Sequence, residues 1–181
     1  NPLFLPREDV PPPAGVVAKD IMLAVMATEY IKSGKAIGQV IEFQGEGLAH
    51  LSMDERVTMT NLAVEAGAFT GIIAADESTI AWIRELRGLS EADAAGLRAR
   101  CTTSDAGAEF AATFDLDLST LSPYVATPGD PRNGVPIETL GDGVKIDIAY
   151  GGSCTGGKMA DMDQYAEVLA PAVARGERVA P

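Results

Sequence analysis

The sequence is poor in the two residue types that most often carry nucleophilic or metal chemistry. Its 181 residues include two cysteines, Cys101 and Cys154, and one histidine, His50. Two cysteines are too few for a disulfide scaffold, so we expect both thiols to be reduced. A Ser/His/Asp triad, or a cysteine nucleophile with a histidine base, would depend on His50, and no nucleophile-elbow motif accompanies it.

Basic residues and long apolar runs are also scarce. Lysine and arginine number 14 against 26 acidic residues, which gives a formal net charge of -12. Because binding a phosphate backbone requires a basic face, we exclude nucleic acid as a partner, whereas a local basic pocket for an anionic substrate remains open. No apolar run is long enough to cross a bilayer, and residues 1–6 do not resemble a secretory signal. We therefore predict a cytoplasmic protein without a membrane partner.

Helical and strand patterns alternate along the chain, which predicts an α/β fold with a mainly parallel sheet covered by helices. Cap signals mark several helix ends, among them Ser52 with Glu55, Ser90 with Asp93, and the terminator Gly88. The predicted helices are residues 16–33, 53–66, 76–87, 90–100 and 159–173, and the predicted strands are residues 36–43, 69–75, 110–118 and 144–150. We expect the second of these strands to be buried, and the apolar face of the third helix to join the core.

The distribution of proline and glycine predicts the domain organisation. Residues 1–15 contain five prolines and no sustained periodicity, which is typical of an extended arm or linker. Residues 16–120 contain one complete α/β domain. Residues 121–143 are rich in proline and glycine, and we expect an irregular connection there. Residues 144–181 are then the start of a second α/β domain.

A glycine-rich turn, residues 151–158, separates the last predicted strand from the last predicted helix. It carries Cys154, and the unpaired N–H groups at a helix start favour thiolate over thiol. Cys154 is therefore a candidate metal ligand or nucleophile, although a small buried hydrophobe is the alternative reading of one cysteine at a turn. The turn lacks the spacing of a P-loop or of a dinucleotide fingerprint. Cys101 has no comparable context.

Two polar residues, Asn61 and Glu65, lie four positions apart on the predicted helix 53–66. That spacing puts an amide and a carboxylate side by side on one helix face. On spacing alone, a solvated helix flank is the favoured explanation of the pair, with a functional site as the alternative. Composition and spacing thus predict an α/β domain with one candidate reactive thiol, and they go no further.

Three sequence blocks, in the same order over nearly the whole chain from about Gly15, resemble the aconitase and 3-isopropylmalate dehydratase large-subunit superfamily. The blocks are residues 18–47, residues 51–68 (LSMDERVTMTNLAVEAGA), and residues 152–155 (GSCT) preceded by residues 104–108 and 121–128. The second block and the Ser-Cys-Thr tripeptide are the specific ones. The resemblance implies an aconitase-type three-layer α/β fold.

The resemblance further implies a hydro-lyase that isomerises a hydroxy-di- or tricarboxylic acid by dehydration and rehydration. In that family three cysteines hold a [4Fe-4S] cluster, whose fourth iron acts as a Lewis acid on the substrate hydroxyl and carboxylate. Cys154 matches the first cluster cysteine. Asn61 and Glu65 match a family Asn that helps to position the site and a family Glu that hydrogen-bonds the hydroxyl or water at the cluster.

The chain also departs from the family pattern. Gly156 replaces the Asn of the usual Ser-Cys-Thr-Asn, and Lys158 stands where isopropylmalate dehydratases often have Arg. The upstream Asp-Ser-His segment, the downstream Cys-x-x-Cys pair, the substrate-binding arginines and the swivelling domain with its catalytic serine are absent. These departures, together with the missing initiator Met and the abrupt end at Pro181, predict a central fragment of a larger enzyme.

We expect such a fragment to be inactive and free of cluster when isolated. Its predicted partners are a small hydroxy-carboxylic acid and the remaining domains or a small swivelling subunit. The alternative from another functional class is a non-catalytic binding or assembly module that retains the aconitase-like fold. That alternative predicts a full-length product without the downstream Cys-x-x-Cys pair.

Overall fold

The computed structural model describes residues 1–7, 9–141 and 144–177. The strands are β1 (Pro2–Leu5), β2 (Val40–Phe43), β3 (Thr70–Ile73), β4 (Ala112–Asp115), β5 (Tyr124–Ala126) and β6 (Gly134–Pro136). The helices are α1 (Ala18–Met26), α2 (Glu29–Lys32), α3 (Met53–Leu62), α4 (Glu77–Arg87), α5 (Glu91–Arg98), α6 (Ser153–Gly156) and α7 (Met159–Ala174). Short 3₁₀ turns cover Glu46–His50, Leu118–Thr120 and Ile137–Leu140. None of the described helices combines the length and the apolar character that crossing a bilayer requires.

The centre of the fold is a four-stranded sheet in the order β3-β2-β1-β4, and all its neighbouring strands are parallel. Parallel neighbours need long crossover connections, and helices lie within the connections from β1 to β2, β2 to β3 and β3 to β4. This arrangement confirms the predicted α/β fold with a parallel sheet. β5 and β6 pair separately and antiparallel, so the prediction of a purely irregular segment over residues 121–143 is wrong for these six residues. Residues 142–143 lie outside the described residues.

The N-terminal segment, predicted to be an arm or linker, supplies an interior strand of the sheet. β1 lies between β2 and β4, and Phe4 is 1% exposed, with its ring 4.8 Å from that of Phe114. Pro2 opens the strand, a position where the missing N–H of proline is tolerated. The prediction was wrong because a strand buried on both faces has no alternating pattern of apolar and polar residues. The many prolines nearby favoured an extended arm over a strand of only four residues. Residue 8 of this segment lies outside the described residues.

Helix α1 contributes side chains to the hydrophobic core, and it packs against α3. Four of its side chains are fully buried: Ile21, Met22, Val25 and Met26. The single helix predicted for residues 16–33 is divided into α1 and α2. Thr28 adopts an extended conformation between them, and its hydroxyl donates a hydrogen bond of 2.7 Å to the Val25 carbonyl. That local bond competes with helix continuation.

The ends of the helices were predicted more accurately than the burial of side chains. The capping boxes at Ser52 and Ser90 are present, and Gly88 ends α4 in the left-handed conformation. The strand predicted at residues 69–75 is present as β3, but its predicted burial is wrong, because β3 is an edge strand and Phe69 beside it is 78% exposed. The core predicted for α4 is also largely wrong, since Ile80 is buried while Trp82 and Leu86 lie at the surface.

The strand predicted for residues 144–150 does not form. Its apolar side chains are exposed, up to 84% for Ile148. The alternating pattern is present, but a strand needs a neighbour that pairs with its N–H and C=O groups, and no strand among the described residues lies beside it. The following helix is confirmed as α7, although none of its described residues is buried. A second α/β domain over residues 144–181 stays a prediction, and residues 178–181 lie outside the described residues.

Candidate functional site

The loop that carries Cys154 has an unusual backbone at its start. Gly152 has φ of +144° and Ser153 has φ of +73°, and the short helix α6 begins at Ser153. Among the described residues, Ser153 is the one non-glycine residue with positive φ, a conformation that costs about 1 kcal/mol or more. Cys154 follows it in the first turn of α6 and is exposed. The predicted elbow therefore exists as a turn and a helix start, without the strand before it.

The two other predicted site residues meet Cys154, because α6 packs against α3. Asn61 lies in the last turn of α3 and is half-buried, whereas Glu65 lies in the turn after α3 and is exposed. The prediction that both occupy one helix is thus corrected for Glu65, since α3 ends at Leu62. A hydrogen bond of 3.3 Å from the Ala66 N–H to the Leu62 carbonyl keeps that turn close to helical geometry.

The surroundings of Cys154 favour its thiolate. Hydrogen bonding by Ser153, whose hydroxyl oxygen is 3.6 Å from Cys154 Sγ, and by the Asn61 side chain lowers the pKa of Cys154 from its ordinary value. The carboxylate of Glu65 opposes this effect because a second negative charge disfavours the thiolate. Asn61 and Glu65, which the resemblance placed near Cys154, therefore both affect the charge state of its thiol. Their catalytic roles stay a prediction.

The Cys154 loop is fastened by side chains that the sequence reasoning missed as site residues. Lys158 Nζ donates a hydrogen bond of 2.6 Å to Thr58 Oγ1 on α3. Asp161 forms an ion pair with Lys19 of α1, and the Tyr165 hydroxyl donates to the Gly156 carbonyl at 3.2 Å. The sequence carries one signal of this arrangement, the spacing of Lys158 and Asp161 at i and i+3 across a helix start.

The other candidate groups lie apart from Cys154. Cys101 follows α5, and its Sγ donates to the Leu97 carbonyl at 3.5 Å. His50 Nε2 is 2.8 Å from Asp9 Oδ1, and no hydrogen bond among the described residues joins His50 to Cys154. Within residues 1–7, 9–141 and 144–177, no three His, Cys, Asp or Glu side chains converge as a metal site. Cys154 is therefore a free, exposed thiol that the described residues do not join to further candidate metal ligands.

The parallel sheet and the exposed thiol facing an amide and a carboxylate define an α/β protein with a polar site beside α3. The family model of the aconitase family (aconitate hydratase) matches residues 11–142, and so includes Asn61 and Glu65 but not Cys154. The chain belongs to the aconitase family.

Curated relatives agree with this assignment. The 3-isopropylmalate dehydratase large subunit of Acetivibrio thermocellus is 40% identical over 154 residues, which cover 85% of this chain and 34% of the relative. Large subunit 2 from Rubrobacter xylanophilus is 41% identical over 166 residues, or 92% of this chain and 35% of the relative. Large subunit 1 from Pyrococcus furiosus is 37% identical over 167 residues, or 92% and 36%. The chain spans about a third of the length of these relatives.

Proposed function

We propose that this chain is part of a cytoplasmic [4Fe-4S] hydro-lyase that isomerises a small hydroxy-di- or tricarboxylic acid by removing water and adding it back. The reaction would be of the aconitate hydratase or 3-isopropylmalate dehydratase type. The observation that supports this most is the packing of α6, which carries Cys154, against α3, which carries Asn61, with Glu65 in the turn that follows α3. The names of the relatives, which are 3-isopropylmalate dehydratase large subunits, point to the same chemistry.

Cys154 is suited to be one ligand of an iron–sulfur cluster. It is exposed, its pKa is lowered, and thiolate is the donor that such clusters use. A cluster that is bound there supplies a Lewis-acidic iron for the hydroxyl and a carboxylate of the substrate. Because the described residues contribute one thiol to this place, its other ligands would come from elsewhere in the full-length protein.

Glu65 is the candidate for proton handling at the substrate hydroxyl. An ionised carboxylate accepts hydrogen bonds only, whereas its protonated form donates one. Glu65 would therefore hold the proton that the leaving hydroxyl needs, and would remove a proton from water in the reverse direction. It lies in an exposed turn, and its charge acts on Cys154.

Asn61 is the candidate for orienting this group of residues. It lies half-buried on α3, which packs against α6, and its amide lowers the pKa of the Cys154 thiol. An amide can donate to a thiolate without adding a second charge, unlike a carboxylate. Asn61 would thus hold the thiolate in one orientation relative to Glu65.

The remaining domains, or a small swivelling subunit, would complete the substrate site. The relatives are named as large subunits, which supports a partner of this kind. The isolated chain would then lack activity, because its described residues contribute one ligand thiol to the site.

The experiment that tests the proposal uses Glu65→Gln in the intact protein that carries this chain. We expect hydration and dehydration of hydroxy acids to slow by about a hundredfold or more, the usual effect of losing a general acid–base group, with iron content unchanged. The control is Glu85→Gln, a change of an exposed carboxylate on α4. Equal activity of Glu65→Gln and the parent would refute its role. An intact protein with neither iron nor hydro-lyase activity would favour the non-catalytic module.

A further inference from the structure

The side chain of Lys158 connects the Cys154 loop to α3. Its ammonium donates to Thr58 Oγ1 at 2.6 Å and to the Thr155 carbonyl at 3.5 Å. The Lys158 side chain is 16% exposed, and the Thr58 side chain is buried. An ammonium group withdrawn from water is stable only where fixed partners replace its hydration. The contact is therefore built into the packing of the loop rather than being a loose surface encounter.

Asp161 balances the positive charge and extends the connection to α1. Its carboxylate accepts hydrogen bonds from Lys19 Nζ and, at 3.0 Å, from the Lys158 backbone N–H, and it lies 3.7 Å from Lys158 Nζ. Burial alone would raise the pKa of Asp161, but the hydrogen bonds from Lys19 and Lys158 outweigh burial and lower it. The carboxylate is thus charged at neutral pH and holds the start of α7 against α1.

The opposite side of the loop is held by Tyr165, whose hydroxyl donates to the Gly156 carbonyl. A Cβ atom at Gly156 would lie 3.1 Å from that hydroxyl and 3.6 Å from Lys19 Cε, so the site has little room for a side chain. The glycine of this chain therefore fits an arrangement in which Tyr165 and Lys19 approach the loop closely.

Thr58 and Asn61 are three residues apart on α3, so they lie on the same face of that helix, one turn from each other. Lys158 follows Cys154 by four positions along the loop. Fastening Lys158 to Thr58 consequently limits where Cys154 can lie relative to Asn61. We propose that Lys19, Thr58, Lys158 and Asp161 form a clamp that positions the Cys154 thiol against Asn61.

These four residues are positioning residues, since none of them contacts Cys154 Sγ by a hydrogen bond among the described residues. The purpose of the clamp, to hold a cluster ligand, rests on the proposed function. The clamp itself rests on the contacts of the loop, and its test needs no cluster.

The test compares Thr58→Val with Thr58→Ser by hydrogen exchange of the backbone amides in residues 151–158, read by mass spectrometry on the 181-residue chain. Valine keeps the shape of threonine and removes the oxygen that accepts from Lys158, whereas serine keeps that oxygen. Thr60→Val is the matched control, because the Thr60 hydroxyl donates only to the Arg56 and Val57 carbonyls.

We expect these amides to exchange about tenfold faster in Thr58→Val, the change that follows from losing one hydrogen bond to a charged group. Lys158→Met should behave alike, and Thr58→Ser and Thr60→Val should match the parent. Unchanged exchange in Thr58→Val, or equal acceleration in Thr60→Val, would overturn the clamp. Faster exchange spread over the whole chain would also overturn it, because Thr58 would then be structural only.

A second measurement separates the clamp from the proposed function. In the intact protein, Thr58→Val should lower bound iron while Thr58→Ser retains it. If Thr58→Val loosens residues 151–158 but both it and Cys154→Ser bind iron normally, the clamp stands and the cluster role of Cys154 fails. If iron is lost in Cys154→Ser but neither iron nor exchange changes in Thr58→Val, the proposed function stands and the clamp fails.

Discussion

For the ion pair between Arg56 and Asp76, the loss of stability on breaking the contact can be estimated from the structure. Arg56 lies on α3, four residues before Thr60, and its side chain is 3% exposed. Its guanidinium donates to Asp76 Oδ1 at 2.7 Å, and to the carbonyls of Leu51 at 3.1 Å and Leu48 at 2.8 Å. Asp76→Asn removes the counter-charge and keeps an oxygen for capping α4, so the change tests the charge alone.

The expected cost follows from how much of the pair is buried. Removing one partner of a fully buried pair costs about 3–5 kcal/mol. The Asp76 side chain is 44% exposed, and solvent screening reduces the expected cost to about 1–2 kcal/mol at neutral pH. Burial raises the pKa of Asp76, but hydrogen bonds from Arg56 and Thr79 outweigh it and lower that pKa to about 2 from 3.8.

The lowered pKa fixes the direction of the pH effect. A carboxylate whose pKa is lower in the folded state binds fewer protons when folded, so its stabilising contribution is complete above the unfolded value. It is lost as the pH falls from about 4 towards about 2. The free energy of unfolding of the parent should therefore approach that of Asp76→Asn as the solution is acidified through this window.

Urea unfolding followed by circular dichroism, at several pH values from neutral to acidic, measures both effects. Asp147→Asn is the control. Asp147 Oδ1 lies 3.4 Å from Lys145 Nζ, and both side chains are almost fully exposed. That variant should match the parent at every pH. If the free energies of unfolding of the parent and Asp76→Asn differed by the same amount from neutral pH to about pH 2, the charge-based reasoning would be refuted. Equal free energies of unfolding at neutral pH would refute it too.

Two further changes probe the core and the site. Phe4→Ala should destabilise the chain by about 3–5 kcal/mol in the same urea assay, since Phe4 is buried in the sheet core; Phe69→Ala, at an exposed ring, should cost far less, and equal costs would contradict the placement of β1. Asn61→Leu, in a Cys101→Ser background, should slow alkylation of Cys154 at neutral pH, because loss of the amide raises the thiol pKa. An unchanged pH profile of alkylation would show that Asn61 does not stabilise the thiolate.

Local signals in the sequence predicted helix ends well. Ser52, Ser90 and Gly88 act within one helical turn, so the neighbouring letters contain the information. β1 could not be predicted in this way, because its place depends on pairing with residues 112–115, more than a hundred positions away. The segment 144–150 shows the reverse case, in which a good strand pattern fails to form a strand without a neighbour.

The site was predictable only in part, for similar reasons. Cys154 was a candidate from its place at a helix start, whereas Asn61 and Glu65 were identified through a resemblance, because their spacing alone did not distinguish them from a solvated helix flank. Lys19 and Thr58 carried no signal, since each is an ordinary helical residue until the fold brings α1, α3 and the Cys154 loop together. A network of contacts between distant segments is specified by tertiary packing, which a linear pattern does not contain.

Iron binding by the intact protein shows whether Cys154 is a cluster ligand. After anaerobic incubation with iron and sulfide, we expect bound iron and the visible absorbance of thiolate-to-iron charge transfer in the parent and in Cys101→Ser. Cys154→Ser should lose both. Normal iron content and absorbance in Cys154→Ser would contradict the account.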